Sequence, residues 1–580
     1  MLEFIQLLKQ RYQTVLTQLD KKSSRHFDYL QRFEQLLYAE AYIRKGQLIA
    51  EKPGFPLQIA VIGPTQAGKS TVVNLLLNAS RAGVSPLAGY TQHAQGFLHR
   101  LELCDTDGLQ QFFGRFERLD VNKLHPSRHD CYATSSSAST SHLIPPCVIW
   151  DTPDFDSIDA ADYREGLIRA IALADVIVLV VSKEKYADQS VWEVMQTVAH
   201  FDQPTLICLN KLAEGNERLI QDSLQQKWQQ SRKEPMPDVV TMLFQKVPEK
   251  PVWPAESNQH LLELAQRVER KKHGLRQQQF LLGFWSQWLE PAFAEHEAQQ
   301  QWRKLVEDTI EQALTEYRRD FLDHPHHYHT FQIALLNLLS LLEIPSLARF
   351  LTTTRRVMTW PVRKMLSLGQ GRFKSSPDQE IGLLNQIGEH TLIRLADTLL
   401  EKTESETLQA NWWRETAIGL RQNRGNLLHG YQTAVLTYHS AFQQDVDAAA
   451  HKLYHKLEDQ PLVLNSLRAT RISTDAGAIL LAIQAGGIGI HDLVLTPMML
   501  TVTSLLTESA LGNYMRRVEA ELKQHQFHTV KSDLFQRYLR DRLYQLPLQI
   551  HSPTRFNISE EQCRIAEQTL KEKKHGLRLL

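Results

Sequence analysis

No sign of charge dominates this sequence: sixty-five Lys and Arg residues cancel sixty-five Asp and Glu residues over 580 positions. Nothing global therefore points to nucleic acid, and any electrostatic targeting has to come from local clustering. Cysteine is scarce, with five residues (Cys104, Cys131, Cys147, Cys208 and Cys563) in no paired spacing. Cys147 and Cys208 fall inside apolar strand-like runs, which reads as buried thiols in a reducing compartment and argues against a zinc site. The first residues, Met1 to Gln6, intersperse charge among apolar side chains. They lack the basic stub and apolar core of a secretory signal, so the cytosol is the expected location. What is present is ordinary for a folded protein, 42% hydrophobic and 22% charged residues. The length suffices for roughly three to four domains.

The most informative segment is Gly63-Pro64-Thr65-Gln66-Ala67-Gly68-Lys69-Ser70, which fits GxxxxGK[ST]. Leu57 to Ile62 before it reads as a short buried strand, and Thr71 to Leu77 after it as the start of a helix. Strand, glycine loop and helix thus come in the order a phosphate-binding loop requires. In such a loop the backbone N–H groups and the helix N-terminus converge on a β-phosphate. Lys69 adds a mobile positive charge, and the Ser70 hydroxyl can ligate Mg²⁺. The expected nucleotide-binding residues are Gly63, Thr65, Gln66, Ala67, Gly68, Lys69, Ser70 and Thr71.

Hydrolysis needs a second carboxylate for the hydrated metal at the end of the next parallel strand, and Cys147-Val148-Ile149-Trp150-Asp151 supplies it. Asp151-Thr152-Pro153-Asp154 resembles the DxxG signature of the GTPase superfamily, with Asp154 where the glycine would be. That exchange places a further negative charge where an N–H normally senses the γ-phosphate. Phe155 stands where many small GTPases carry a water-orienting glutamine, so slow intrinsic hydrolysis is expected. Thr91, after the turn-rich stretch Ser85 to Tyr90 and before a strand over 96–101, is the expected switch threonine. It closes over Mg²⁺ and the γ-phosphate only in the triphosphate state; a threonine that merely opens a strand is the other reading.

Val176 to Val181 and Thr205 to Leu209 read as two further buried parallel strands, with a helix over 190–200 between them. The second leads into Asn210-Lys211-Leu212-Ala213, which resembles the [NT]KxD base-recognition motif. Ala213 replaces the aspartate that accepts two hydrogen bonds from guanine, a loss of roughly 1–3 kcal/mol in discrimination unless Glu214 substitutes. GTP is the preferred nucleotide on resemblance, and ATP stays open. Phe244-Gln245-Lys246 is a weak candidate for a fifth motif. The Ser/Thr-rich run Thr134 to Ser141 reads as a flexible surface loop.

Outside 55–250 the pattern turns to long helices, with apolar residues at three- and four-residue spacing over 2–19 and 24–50 and within 256–320, 380–458 and 507–545. Two stretches differ. Between Ile344 and Pro377 there is no acidic residue, while Arg349, Arg355, Arg356, Arg363, Lys364, Arg372 and Lys374 mix with Phe350 and Trp360. An anionic membrane surface fits this segment, at about 1 kcal/mol per well-placed cation; a solvated basic face or an acidic protein partner fits it too. Ala476 to Leu506 contains no Lys, Arg or Glu, and its two apolar halves are split by His491-Asp492. Each half is shorter than the roughly 20 residues that span a bilayer, which leaves a hairpin dipping into one leaflet or a hairpin buried in a helical core. The run His324-Pro325-His326-His327-Tyr328-His329 reads better as a polar interhelical loop than as a metal site.

The expectation is an α/β P-loop nucleotide-binding domain with a mostly parallel sheet plus a large all-α helical, stalk-like domain. Its divisions are N-terminal helices 1–54 packing on the helical domain, a GTPase domain 55–250 and a bundle 251–470 that contains the basic segment 344–377. An apolar hairpin 471–512 and a returning helix with its tail, 513–580, complete it. In the order of these parts the chain resembles the bacterial dynamin-like branch of the large GTPases. The resemblance rests on the motif positions Lys69, Thr91, Asp151 and Asn210-Lys211, with motif-level similarity confined to 57–213. It implies GTP hydrolysis, catalytic roles for Lys69 and Thr91, and Mg²⁺ held by Ser70, Thr91 and Asp151. It also implies membrane binding through a tip, self-assembly into homo-oligomers, and GTPase-domain dimerisation that completes the active site; with the cytosolic reading above, the expected location is cytoplasmic, peripheral at the inner membrane. Thr65 departs from the phosphate-loop glutamine of dynamins, with Gln66 one place later. A soluble nucleotide switch recruiting a protein partner, or a scaffold with almost no turnover, is the alternative.

Overall fold

The computed structural model describes residues 1–83, 91–125, 128–136, 144–155, 161–232, 234–244, 255–323, 376–404, 408–461 and 512–576, with a few positions between 334 and 341. The chain divides into two compact units, Met1–Phe293 with Pro553–Leu580, and Ala294–Ser552.

In the first unit, helix α1 (Leu2–Leu16) buries Ile5, Leu8, Tyr12 and Val15, a three- and four-residue spacing that lines one helical face. Helix α2 (Ser24–Glu51) starts where the Ser23 hydroxyl accepts from the His26 amide at 3.2 Å. An eight-stranded sheet follows, in the order β3-β4-β2-β5-β1-β6-β7-β8. Its strands are β1 (Leu57–Ile62), β2 (Gln95–His99), β3 (Glu117–Leu119), β4 (Cys131–Ser136), β5 (Cys147–Asp151), β6 (Val176–Ser182), β7 (Thr205–Leu212) and β8 (Asp238–Leu243). Neighbours are parallel except β2 with β5, which are antiparallel with Gln95 opposite Asp151.

Because strand side chains alternate, the two faces build separate cores. Ile59, Val61, Ile149, Val178 and Cys208 pack with α3 (Lys69–Leu77) and α8 (Ala255–Gln266). Ala60, Ile62, Trp150, Leu179 and Leu209 join a core with α1, α2 and α5 (Ala161–Leu173). Helices α4 (Leu109–Phe113), α6 (Gln189–His200) and α7 (Glu217–Ser231) complete the domain. Thr134, Ser135 and Ser136, read from sequence as part of a flexible loop, are strand. They pair with β2, and the Arg118 guanidinium donates to the Thr134 hydroxyl at 2.7 Å. Cys104 corrects the reading of buried thiols, since it is exposed while the other four are buried.

A buried ionic cluster ties α5 to the N-terminal helices. Glu40 on α2 pairs with Lys9 of α1, with Arg44 at 3.0 Å and with Arg169 of α5 at 3.5 Å. Glu165, also on α5, pairs with Arg169 and with Arg115, each at 2.6 Å. Burial alone would push the Glu40 carboxyl up, but Arg169 and Lys9 bring it down to about 2.

At the edge where β6 begins, Asp175 pairs with Lys45 at 3.0 Å and Arg270 at 2.6 Å. Beside it His273, which opens α9 (His273–Tyr317), shares a 2.9 Å hydrogen bond with the Tyr42 carbonyl. Burial first, and the Lys45 charge second, lower the imidazole from 6.5 to about 4. Between those values the unfolded chain carries a proton that the fold excludes. Stability is therefore present above the unfolded value and is lost as pH falls toward 4, with His273 contributing about 2 kcal/mol between pH 7.5 and 5. Urea midpoints of wild type and His273→Gln at both pH values test this; equal losses in the two proteins would refute it.

The second unit is helical. Helix α10 (Ser376–Thr403) packs along α11 (Ala410–Glu458), which buries Trp412, Thr416, Leu420, Leu427, Tyr431, Val435, Tyr438 and Phe442. Helix α12 (Gly512–Thr529) continues as a π-helical stretch, Val530–Arg540. Glu380 is the polar pin of this core, accepting from the Tyr317 and Tyr438 hydroxyls at 2.8 and 2.9 Å and from the Gln526 amide at 2.9 Å. Among the described residues no helix is long and apolar enough to cross a membrane. Nearly all of 344–377, all of 476–506 and the His324 to His329 run lie outside those residues. The last described helix, α13 (Glu560–Gly576), belongs to the first unit.

Candidate nucleotide-binding site

The loop between β1 and α3 owes its shape to two glycines. A Cβ on Gly63 would run into the Val180 carbonyl of β6, and one on Gly68 into the Asn210 amide. Gly68 also has φ +95°, and Gln66 has φ +61°, two left-handed positions that bend the chain tightly between β1 and α3, and the Ala67 amide closes the turn on the Pro64 carbonyl at 3.2 Å. The loop is tied down from the far side. The Asn210 side-chain amide donates to the Ala67 carbonyl at 2.8 Å, and Lys211 Nζ to the Gln66 carbonyl at 2.7 Å. Thr65 lies within the loop, and Thr71 in the first turn of α3. Strand β7 runs further than its apolar run suggests, through Asn210 and Lys211 to Leu212, while Ala213 and Glu214 beyond it are exposed. Phe244, at the weak fifth motif, is 58% exposed, and Gln245 and Lys246 lie outside the described residues.

Beside the loop the sheet gathers the oxygen donors. Parallel pairing sets Val61 against Asp151, so the segments after β1 and β5 emerge side by side. Ser70 Oγ donates to Asp151 Oδ2 at 2.7 Å and stands 3.3 Å from Thr91 Oγ1. Thr91 reaches this place because β2, which it precedes, is antiparallel to β5 and begins opposite Asp151. Asp151 is 1% exposed, and burial raises its carboxyl to about 6 against the opposing pull of Ser70 and Lys69. Its Oδ1 is buried with no hydrogen-bond partner among the described residues. An orphaned carboxylate oxygen beside two hydroxyls is a donor set that suits a hard divalent cation such as Mg²⁺.

Lys69 is buried, and its ammonium is already engaged, donating to the Pro64 carbonyl at 3.3 Å and forming an ion pair with Asp154. The backbone of Asp154 is held in turn by the Tyr163 hydroxyl, which donates to its carbonyl at 2.9 Å. Sequence reasoning noted the charge of Asp154 but not its partner. Phe155 is half-buried and packs against the sheet core, offering no polar group to a water.

Residues 58–211 match the family model described as 50S ribosome-binding GTPase. This span is a P-loop GTPase domain. Two curated tRNA modification GTPases are similar to part of it. One, from Cyanidioschyzon merolae (strain NIES-3377 / 10D) and named "Probable tRNA modification GTPase MnmE", is 29% identical over 19% of this chain and 28% of its own length. The tRNA modification GTPase MnmE of Helicobacter acinonychis (strain Sheeba) is 31% identical over 18% of this chain and 22% of its own. The chain thus spans only about a quarter of these relatives. Among solved structures, two chains from an oligomerised bacterial dynamin pair described in terms of long-range sensing and tethering of membranes align over 94% and 97% of this chain and 95% and 93% of theirs. They are 10% and 13% identical, with TM-scores of 0.32 and 0.30. LeoA, a bacterial dynamin GTPase from ETEC, aligns over 100% of this chain and 95% of its own at 10% identity and a TM-score of 0.25.

Proposed function

We propose that this protein is a Mg²⁺-dependent GTPase of dynamin-like type that couples nucleotide turnover to association with an anionic membrane surface and to self-assembly. The observation that carries the enzymatic part is the convergence of Lys69, Ser70, Thr91 and Asp151 at the mouth of the GTPase domain. Lys69 would bind the β- and γ-phosphates, Ser70 and Thr91 would ligate the cation, and Asp151 would hold it through water. When bound, Mg²⁺ supplies charge neutralisation to the phosphate oxygens. The loop amides, fixed by Asn210 and Lys211, would orient the phosphate chain. With Phe155 apolar, unaided turnover is slow, and a second copy of the chain is the source of missing groups that the dynamin-like reading supplies. GTP is the proposed nucleotide, and ATP is its competitor because Ala213 offers no carboxylate.

Support for the membrane and assembly part comes from the order of the chain. Helices α1, α2, the first part of α9 and α13 belong to one unit with the GTPase domain and share the core on one face of its sheet, and 294–552 form a second, helical unit. The basic segment 344–377 and the apolar segment 476–506 fall within that second span.

Co-sedimentation with anionic vesicles, with GTP, with ATP and without nucleotide, tests the reading while phosphate release is followed in the same tubes. Nucleotide-sensitive pelleting is expected, lost in Leu481→Asp while turnover in solution persists. A protein that stays in the supernatant and hydrolyses GTP at a vesicle-independent rate is instead a soluble nucleotide switch whose helical unit recruits a protein partner.

A further inference from the structure

Asp154 is the acidic group that the proposed mechanism leaves without a role, yet it holds the residue on which that mechanism depends. Its carboxylate pairs with Lys69, and the two side chains are only 8% and 5% exposed. The chain brings it there on a short, braced path. Thr152 Oγ1 donates to the Val61 carbonyl of the neighbouring strand at 2.8 Å, Pro153 restricts the next backbone torsion, and Tyr163 binds the Asp154 carbonyl. None of these braces involves the carboxylate itself, so the side chain is free to be replaced at Lys69 while the backbone stays anchored.

Resting on the GTPase reading above, we propose that Asp154 is a built-in substitute for the terminal phosphate that sets the preference of the site between nucleoside diphosphate and triphosphate. A diphosphate fills the amide-lined loop and shares Lys69. A triphosphate brings further negative charge to the same ammonium, the place the Asp154 carboxylate already occupies. Two anions in a water-poor site around one cation repel, so the triphosphate binds only by displacing the carboxylate. The cost falls on the triphosphate, and the empty and diphosphate-bound forms are favoured at rest.

The test is equilibrium titration of the full-length protein with fluorescent GDP and a fluorescent non-hydrolysable GTP analogue, in Mg²⁺ at fixed salt. Wild type, Asp154→Asn and Asp154→Gly are compared, the first variant keeping the side-chain shape and the second restoring the residue of the resembled motif. Both variants are expected to bind the triphosphate analogue on the order of 10-fold more tightly, with GDP affinity changed less than about 3-fold. A purely structural role for Asp154 would move both nucleotides together, and equal shifts, no shift, or a selective loss of triphosphate affinity overturns the proposal. If wild type binds both nucleotides and the ratio is unaltered in the variants, the assignment of Asp154 alone falls. If none of the three proteins binds either nucleotide while thermal unfolding shows them folded, the GTPase reading falls and takes this inference with it.

Discussion

Replacing Lys69 with alanine abolishes nucleotide turnover and weakens binding of GDP and GTP by roughly 30-fold at the least, the lower end of what losing one partner of a desolvated charge pair costs. The ammonium is buried at the mouth of the loop, where low dielectric strengthens its attraction for phosphate. The empty protein responds in the opposite sense from a simple binding mutant. Without Lys69 the Asp154 carboxylate is buried with no cation paired to it among the described residues, which costs about 3–5 kcal/mol of stability. The double substitution Lys69→Ala with Asp154→Asn therefore recovers much of that stability and none of the affinity. Urea midpoints and nucleotide titrations on the same three proteins separate the two effects. Binding by Lys69→Ala within about 3-fold of wild type would sink the assignment of this loop.

Substituting Arg169 with alanine is expected to destabilise the first unit by about 3–5 kcal/mol, the range for breaking a buried ionic cluster from one side. Arg169 is 3% exposed and serves Glu165 at 2.6 Å, Glu40 at 3.5 Å and the Phe112 carbonyl at 3.2 Å. Its removal leaves two buried carboxylates with Lys9, Arg44 and Arg115 as their cations, and returns burial as the dominant influence on Glu40. Chemical denaturation of the full chain measures the loss, and adding Glu165→Gln should restore part of it by removing one of the two buried carboxylates that Arg169 served. A loss below about 1 kcal/mol would mean that water reaches the cluster and screens it.

How far these features can be read from sequence depends on whether their cause is local. The phosphate loop is legible because its spacing is local in the chain, although what demands glycine is a φ of +95° at Gly68 and, at Gly63, the approach of the distant Val180 carbonyl. Helix α1 is legible because its buried face repeats at helical spacing. The Glu40–Arg169 pair is not, since its members are 129 positions apart and each alone looks like a surface charge. The reversed direction of β2 also escapes a periodicity argument, because alternation is the same either way along a strand. Asp154 lies between these cases. Once β1 and β5 are read as parallel neighbours, the residues following them must emerge together, so an acid after β5 was bound to meet the lysine after β1.

The first unit is assembled from both ends of the chain, and that imposes an order of events during synthesis. Phe556 packs edge-on against Tyr12 and Tyr29, Cys563, Ala566 and Leu570 line the same core, and the Gln278 amide caps the Leu570 carbonyl at 2.7 Å. All of Ala294–Ser552 must be translated before those residues exist, an interval of roughly 10–50 s at ordinary elongation rates. Throughout it the nascent nucleotide-binding unit carries an uncovered apolar surface on α1, α2 and α9. A message truncated anywhere in the second unit therefore yields a GTPase domain that is complete in its phosphate loop and open in its core.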